Sequence, residues 1–227
     1  MQRLDYIDSF FALVISNKSL NSLLDEAEFL EWIEQMLVAT QPYGASFSRF
    51  RIAKASAHGN SDALWQVVEE LVVELADPDI SIAARSAPKV VAYWLSSLTP
   101  EANQAFQFLV VSIAGFIAAR RMPILPWMLQ TATEIVHNRP DLLDGQALSL
   151  IEVGLSKMQH ELSYKARKEG SGIQDDNVPI IRFQCARLAR AMRERLQRSS
   201  ACINDWIDAS INDPLPEMRF LPKQPAS

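Results

Sequence analysis

Along most of the chain apolar residues recur at spacings of three and four, so the pattern predicts one amphipathic helix after another. The centre of this pattern is the stretch from Asp77 to Arg121. Asp77-Pro78 and Thr99-Pro100-Glu101 each place a capping side chain and a first-position proline at a helix start. Between them Ile80, Ala83, Ala84, Ala87, Val90, Val91, Trp94, Leu95 and Leu98 form a buried stripe, which Pro88 is expected to kink. The next segment, Ala105 to Ala119, holds only Gln107 and Ser112 as polar residues and is expected to be a central, all-round buried helix.

The same periodicity predicts helices over Leu4 to Ile15, Leu20 to Ala39, Ala45 to Ala57 and Ala63 to Ala76, the last with the stripe Leu64, Val67, Val68, Leu71, Val72 and Leu75. After irregular chain at Met122-Pro123 and Leu125-Pro126, a helix runs to about Asn138 and stops at Arg139-Pro140. Leu142 to Lys168 reads as one long helix, with Gly145 and Gly154 blurring its limits. Glu169 to Val178 is a loop, Pro179 opens a helix to about Gln197, and a final helix covers Ala201 to Ile211. The expected fold is all-α, about ten helices in antiparallel hairpins. Residues 1–211 form one domain in this reading, and 212–227, with Pro214, Pro216, Pro222 and Pro225, form a tail that is extended, packed on the surface or free.

Asp79 through Leu95 superposes without a gap on Asp176 through Met192, bringing Arg85 onto Arg182 and Val91 onto Leu188. Each stretch carries an acidic residue six positions before its arginine. The pattern resembles the second-helix signature of HEAT and armadillo-like repeats, in which an Asp and an Arg bracket the start of the inner helix. The two copies lie 97 residues apart, about two units of the ~40–47-residue period of those families. The resemblance covers these two stretches, and Pro88 has no counterpart in the second. It implies an α-solenoid; an irregular helical bundle is the other architecture the pattern allows.

Composition narrows the class. Hydrophobic residues at 48%, charged residues at 22% and only 7 glycines describe a folded helical chain rather than a β-rich or disordered one. Cys185 and Cys202, 17 positions apart, match neither a zinc site nor a secreted disulfide framework, which points to a reducing, cytoplasmic setting. No secretion signal is read at the N-terminus, where Asp5 and Asp8 interrupt the first apolar stretch. Ala102 to Ala119 is near the lower length limit of a membrane span, but Gln104 and Gln107 and its amphipathic neighbours favour a core helix.

Candidate chemistry is sparse. Glu134 and His137 have the spacing used in carboxylate-bridged di-metal bundles, but the chain has no second Glu-x-x-His to complete such a site, so no metal is expected. Gly170-Ser171-Gly172 lacks the strand and the Gly-Lys-Ser of a phosphate loop, and no serine sits in a nucleophile-elbow setting. Cys185 lies among arginines that would lower the pKa of an exposed thiol, yet its apolar helical face favours core filling. No catalytic residue and no cofactor are therefore assigned, and the chain is read as non-enzymatic.

Charge is the strongest functional signal. Ten basic residues stand against five acidic ones between Lys157 and Arg198, a surplus of +5 in a chain whose total is -5, which leaves -10 elsewhere. Arg187, Arg190, Arg193 and Arg198 share much of one helix surface, a geometry suited to carboxylates or phosphates. The function expected first is a helical-repeat protein-interaction module, the scaffold, adaptor or sensor part of a larger bacterial assembly, whose partner presents an acidic surface. The alternative is a nucleic-acid-binding helical protein using the basic region 157–198.

Overall fold

The computed structural model describes residues 61–76, 87–88, 91, 103–170 and 176–221, and all regular structure in them is helical. The helices expected within residues 1–60, most of the Asp77-to-Leu98 helix with the first repeat copy, and the last six residues lie outside the described part. The chain divides into two compact units, one ending at Leu109 and the other beginning at Val110.

In the first unit α1 spans Ser61–Ala76. Val68, Leu71 and Leu75, one turn apart, are buried as the stripe predicts, while Val73 points outward and is exposed. The start of α2, Asn103–Ala118, belongs to the same unit, and its Phe108 ring meets Trp65 at a centroid distance of 5.9 Å. Ala87, Pro88 and Val91 are helical and buried.

The second unit holds the rest of α2, then α3 (Leu125–Asn138), α4 (Gly145–Leu162), the short α5 (Tyr164–Lys168), α6 (Val178–Leu196) and α7 (Ala201–Ile211). Short 3-10 turns cover Pro140–Leu142 and Pro216–Phe220. Two of these junctions follow from local chemistry. Helix α2 ends with Arg120 in the left-handed region (φ 54°), Arg120 N–H donating to the Ile117 carbonyl and Arg121 N–H to the Phe116 carbonyl. This paired closure satisfies two terminal carbonyls and reverses the chain. Helix α4 starts where the Asp144 carboxylate accepts from Ala147 N–H at 2.7 Å.

Helix α2 is not buried all round. Ala105, Phe106, Leu109, Val110, Ile113, Ala114 and Ile117 face inward, whereas Gln104, Gln107 and Phe108 are exposed and Phe116 is half-buried beneath the Arg121 guanidinium. The helix of the second unit with the largest buried share is instead α3, with nine of its 14 residues buried. Its threonines hid this in the sequence. Thr131 and Thr133 are fully buried because their hydroxyls donate to the carbonyls four residues back, Trp127 and Leu129.

The expected single helix from Leu142 to Lys168 is two. Ser163 takes an extended conformation and its hydroxyl accepts from Ala166 N–H, so it caps α5 afresh. Upstream of that break Gly154 of α4 passes so close to α2 that a Cβ there would lie 2.7 Å from the Ile117 carbonyl oxygen. Helix α6 packs on α3 and α7 on α6. Trp206 of α7 is buried and donates its indole N–H to the Leu155 carbonyl, joining α7 to α4.

Candidate interaction surface

The arginines of the last third of the chain do not form one solvated face. Arg190 is turned inward, only 8% exposed, and donates to the Ser210 hydroxyl of α7 at 3.0 Å. Burial pulls its pKa below the ordinary arginine value, against the raising effect of Glu194. Arg187 stands 3.9 Å from Glu134 of α3, Arg193 reaches the Asn204 side chain of α7 at 3.5 Å, and Arg198 pairs with Glu152 of α4 at 2.9 Å. Arg195 donates to the carbonyl of His137, the second-last residue of α3, where the helix dipole is negative. The four residues singled out from sequence thus radiate toward three different helices. Arg187, Arg193 and Arg198 keep part of their surface in solvent; Arg190 does not.

A sixth arginine is buried more deeply. Arg182 near the start of α6 pairs with Asp213 at 2.7 Å, the two side chains being 3% and 4% exposed, and its guanidinium lies 5.9 Å from the Tyr164 ring centroid. In the sequence Arg182 stands out through its repeat pattern, but Asp213 does not. An Asp before Pro214 just past a helix end reads as a turn residue, and nothing local marks it as buried. Asp176, the acidic partner in that pattern, is exposed.

A run of exposed cations lies on α5. Lys165, Arg167 and Lys168 are all exposed on a helix, Tyr-Lys-Ala-Arg-Lys, that carries no acid. Nearby in sequence, Lys157 of α4 donates to the Ala118 carbonyl and Glu161 pairs with Arg120, which ties α4 to the end of α2.

The remaining candidates have structural surroundings. Glu134 and His137 have Arg187 and Arg195 as neighbours, and among the described residues no three His, Cys, Asp or Glu side chains converge as a metal site would require. Cys185 is fully buried with its Sγ 3.6 Å from Met158 Sδ, and burial pushes its pKa well above the ordinary thiol value, the reverse of an activated thiolate. Cys202 is half-buried and its pKa is raised too, chiefly by burial. Among the described residues no helix is long and apolar enough to cross a membrane. Comparison with protein-family models, with curated proteins and with solved structures gives no match.

Proposed function

We propose that the chain is a non-enzymatic helical interaction module, the scaffold, adaptor or sensor part of a larger assembly, and that it docks on an acidic protein surface. The observation that carries this reading is the division of labour among its cations. Arg182 and Arg190 of α6 spend their charge inside the fold, whereas Lys165, Arg167 and Lys168 of α5 are each exposed to solvent. Arg187, Arg193 and Arg198 are partly exposed as well. Clustered cations of this kind accelerate and orient docking on carboxylates more than they add raw affinity.

The test is affinity capture with the tagged full chain, identification of the captured protein by mass spectrometry, and repetition with Lys165, Arg167 and Lys168 all changed to Glu. These side chains are exposed, so helical content should be unchanged while capture is lost. Equal recovery of the same partner by the charge-reversed chain would refute the reading. The nucleic-acid alternative uses the same cations and is separated by salt: contact with three phosphates requires log affinity to fall against log salt with a slope of about -3.

A further inference from the structure

Among the described residues Arg187, Arg190, Arg193 and Arg195 of α6 find polar partners on other helices. Arg182 is answered by Asp213, which lies beyond α7 in an irregular run that ends in the Pro216–Phe220 turn. Residues 213–221 lie over α6 like a strap. The Asp213 carboxylate accepts from Arg182 Nη2 and from Leu215 N–H at 3.0 Å, and Met218 and Leu221 close over Ala186, flanked by Phe183 and Leu215. Pro214, Pro216 and Glu217 remain exposed. One ion pair and two buried side chains therefore hold the strap, and its prolines restrict the backbone, Pro216 opening the 3-10 turn.

The strap fills its site incompletely. Asp213 engages Nη2 of Arg182, while the buried Nε has no acceptor among the described residues. A guanidinium offers carboxylates a two-pronged edge, and a carboxylate that took both Nε and Nη2 would satisfy a donor the strap leaves idle. Tyr164 of α5 supports the guanidinium from outside the strap, so Arg182 stays positioned when the strap lifts. With the strap lifted the guanidinium loses its carboxylate partner, so the open site favours an occupant that bears one.

We infer that residues 213–221 occupy in cis a docking site for a short segment of a partner protein, one with an acidic residue for Arg182 followed by apolar residues for the Phe183–Ala186 surface of α6. The inference rests on the interaction-module reading and deepens it: the strap is an internal competitor that sets when an acidic partner segment gains access. Charge complementarity and the strap's own sequence define the ligand chemistry.

The test uses the full chain and a fluorescent peptide with the sequence of residues 213–221. In the wild-type chain the tethered strap competes at an effective concentration in the millimolar range. Replacing Met218→Asp and Leu221→Asp removes the apolar anchors, and this released variant should bind the peptide at least about tenfold more tightly than wild type does. The same peptide with Asp213→Asn, which cannot affect folding of the chain, should bind the released variant at least about tenfold more weakly. Equal binding of both peptides, or none to a released variant that keeps its helical content, overturns the proposal. Hydrogen exchange on the wild-type chain tests it independently of any variant. The Met218 and Leu221 amides, bonded to the Leu215 and Met218 carbonyls, should exchange at least about tenfold faster than the central amides of α6; exchange only together with α6 makes the strap part of the global fold and overturns the proposal. A concentration-dependent dimer that disappears with Asp213→Asn assigns the site to a second copy and overturns the choice of a different protein. A failed peptide test leaves the capture experiment with charge-reversed α5 unaffected, so the two readings fail separately.

Discussion

Replacing Gly154 with alanine sets helix propensity against close packing. In a helix interior Gly→Ala ordinarily stabilises by about 0.5–1 kcal/mol, because alanine has less backbone freedom to lose. At Gly154 the new Cβ would lie 2.7 Å from Ile117 Cγ2, 2.7 Å from the Ile117 carbonyl oxygen and 2.9 Å from its carbonyl carbon. The Cγ2 contact can be relieved by a side-chain rotation, but the two backbone contacts require α4 and α2 to move apart, and overpacking of this kind costs roughly 1–3 kcal/mol. The packing term wins, and Gly154→Ala should destabilise by about 1–2 kcal/mol, lowering Tm by about 2–8 °C in a chain of this size. Gly115 of α2 is the control, since nothing lies within 4 Å of a Cβ built there, and Gly115→Ala should stabilise by about 0.5–1 kcal/mol. Urea unfolding followed by circular dichroism at 222 nm measures both variants. A Gly154→Ala chain as stable as Gly115→Ala would refute the close approach of α2 and α4.

Other predictions follow from burial. Arg190→Glu places a second acid near Glu194 and leaves an unanswered charge inside, costing about 3–5 kcal/mol in a thermal melt, whereas Arg187→Glu breaks only a long, half-exposed pair and should change stability by less than about 1 kcal/mol. Ile113→Asp should abolish soluble expression, while Phe116→Asp, on the half-buried side of the same helix, should express and retain its helical circular dichroism. Asp144→Ala removes the α4 cap and should lower stability by about 1 kcal/mol in urea. Cys185 keeps its proton in the folded chain to higher pH than in the unfolded chain, which ionises near pH ~8.5. The unfolded state thus binds fewer protons above that pH, so stability is complete below it and declines as pH rises toward the folded value; urea midpoints at neutral and alkaline pH should differ more for wild type than for Cys185→Ala.

Much of the local structure was fixed by the chain alone, because caps, prolines and three-four periodicity act within one helical turn. The stripe Val68, Leu71 and Leu75, the end of α3 before Arg139-Pro140, and the spans of α6 and α7 follow from such short-range signals. The break at Ser163 was local too, but a serine inside an apolar period is a cap only if the backbone before it is extended, and the period does not report that. What packs against what needed the tertiary structure. Apolar content points to α2 as the most buried helix, yet α3 has the larger buried share, because the i−4 hydroxyl bonds of Thr131 and Thr133 make a polar-looking helix compatible with burial. The arginines show the limit most plainly. Their spacing on α6 is a property of the sequence, but whether a guanidinium faces water depends on acceptors far along the chain: Ser210 for Arg190, Glu152 for Arg198 and Asp213 for Arg182. A side chain that long can be buried or solvated from the same backbone position, and only the placement of α3, α4, α7 and the C-terminal strap around α6 decides between them.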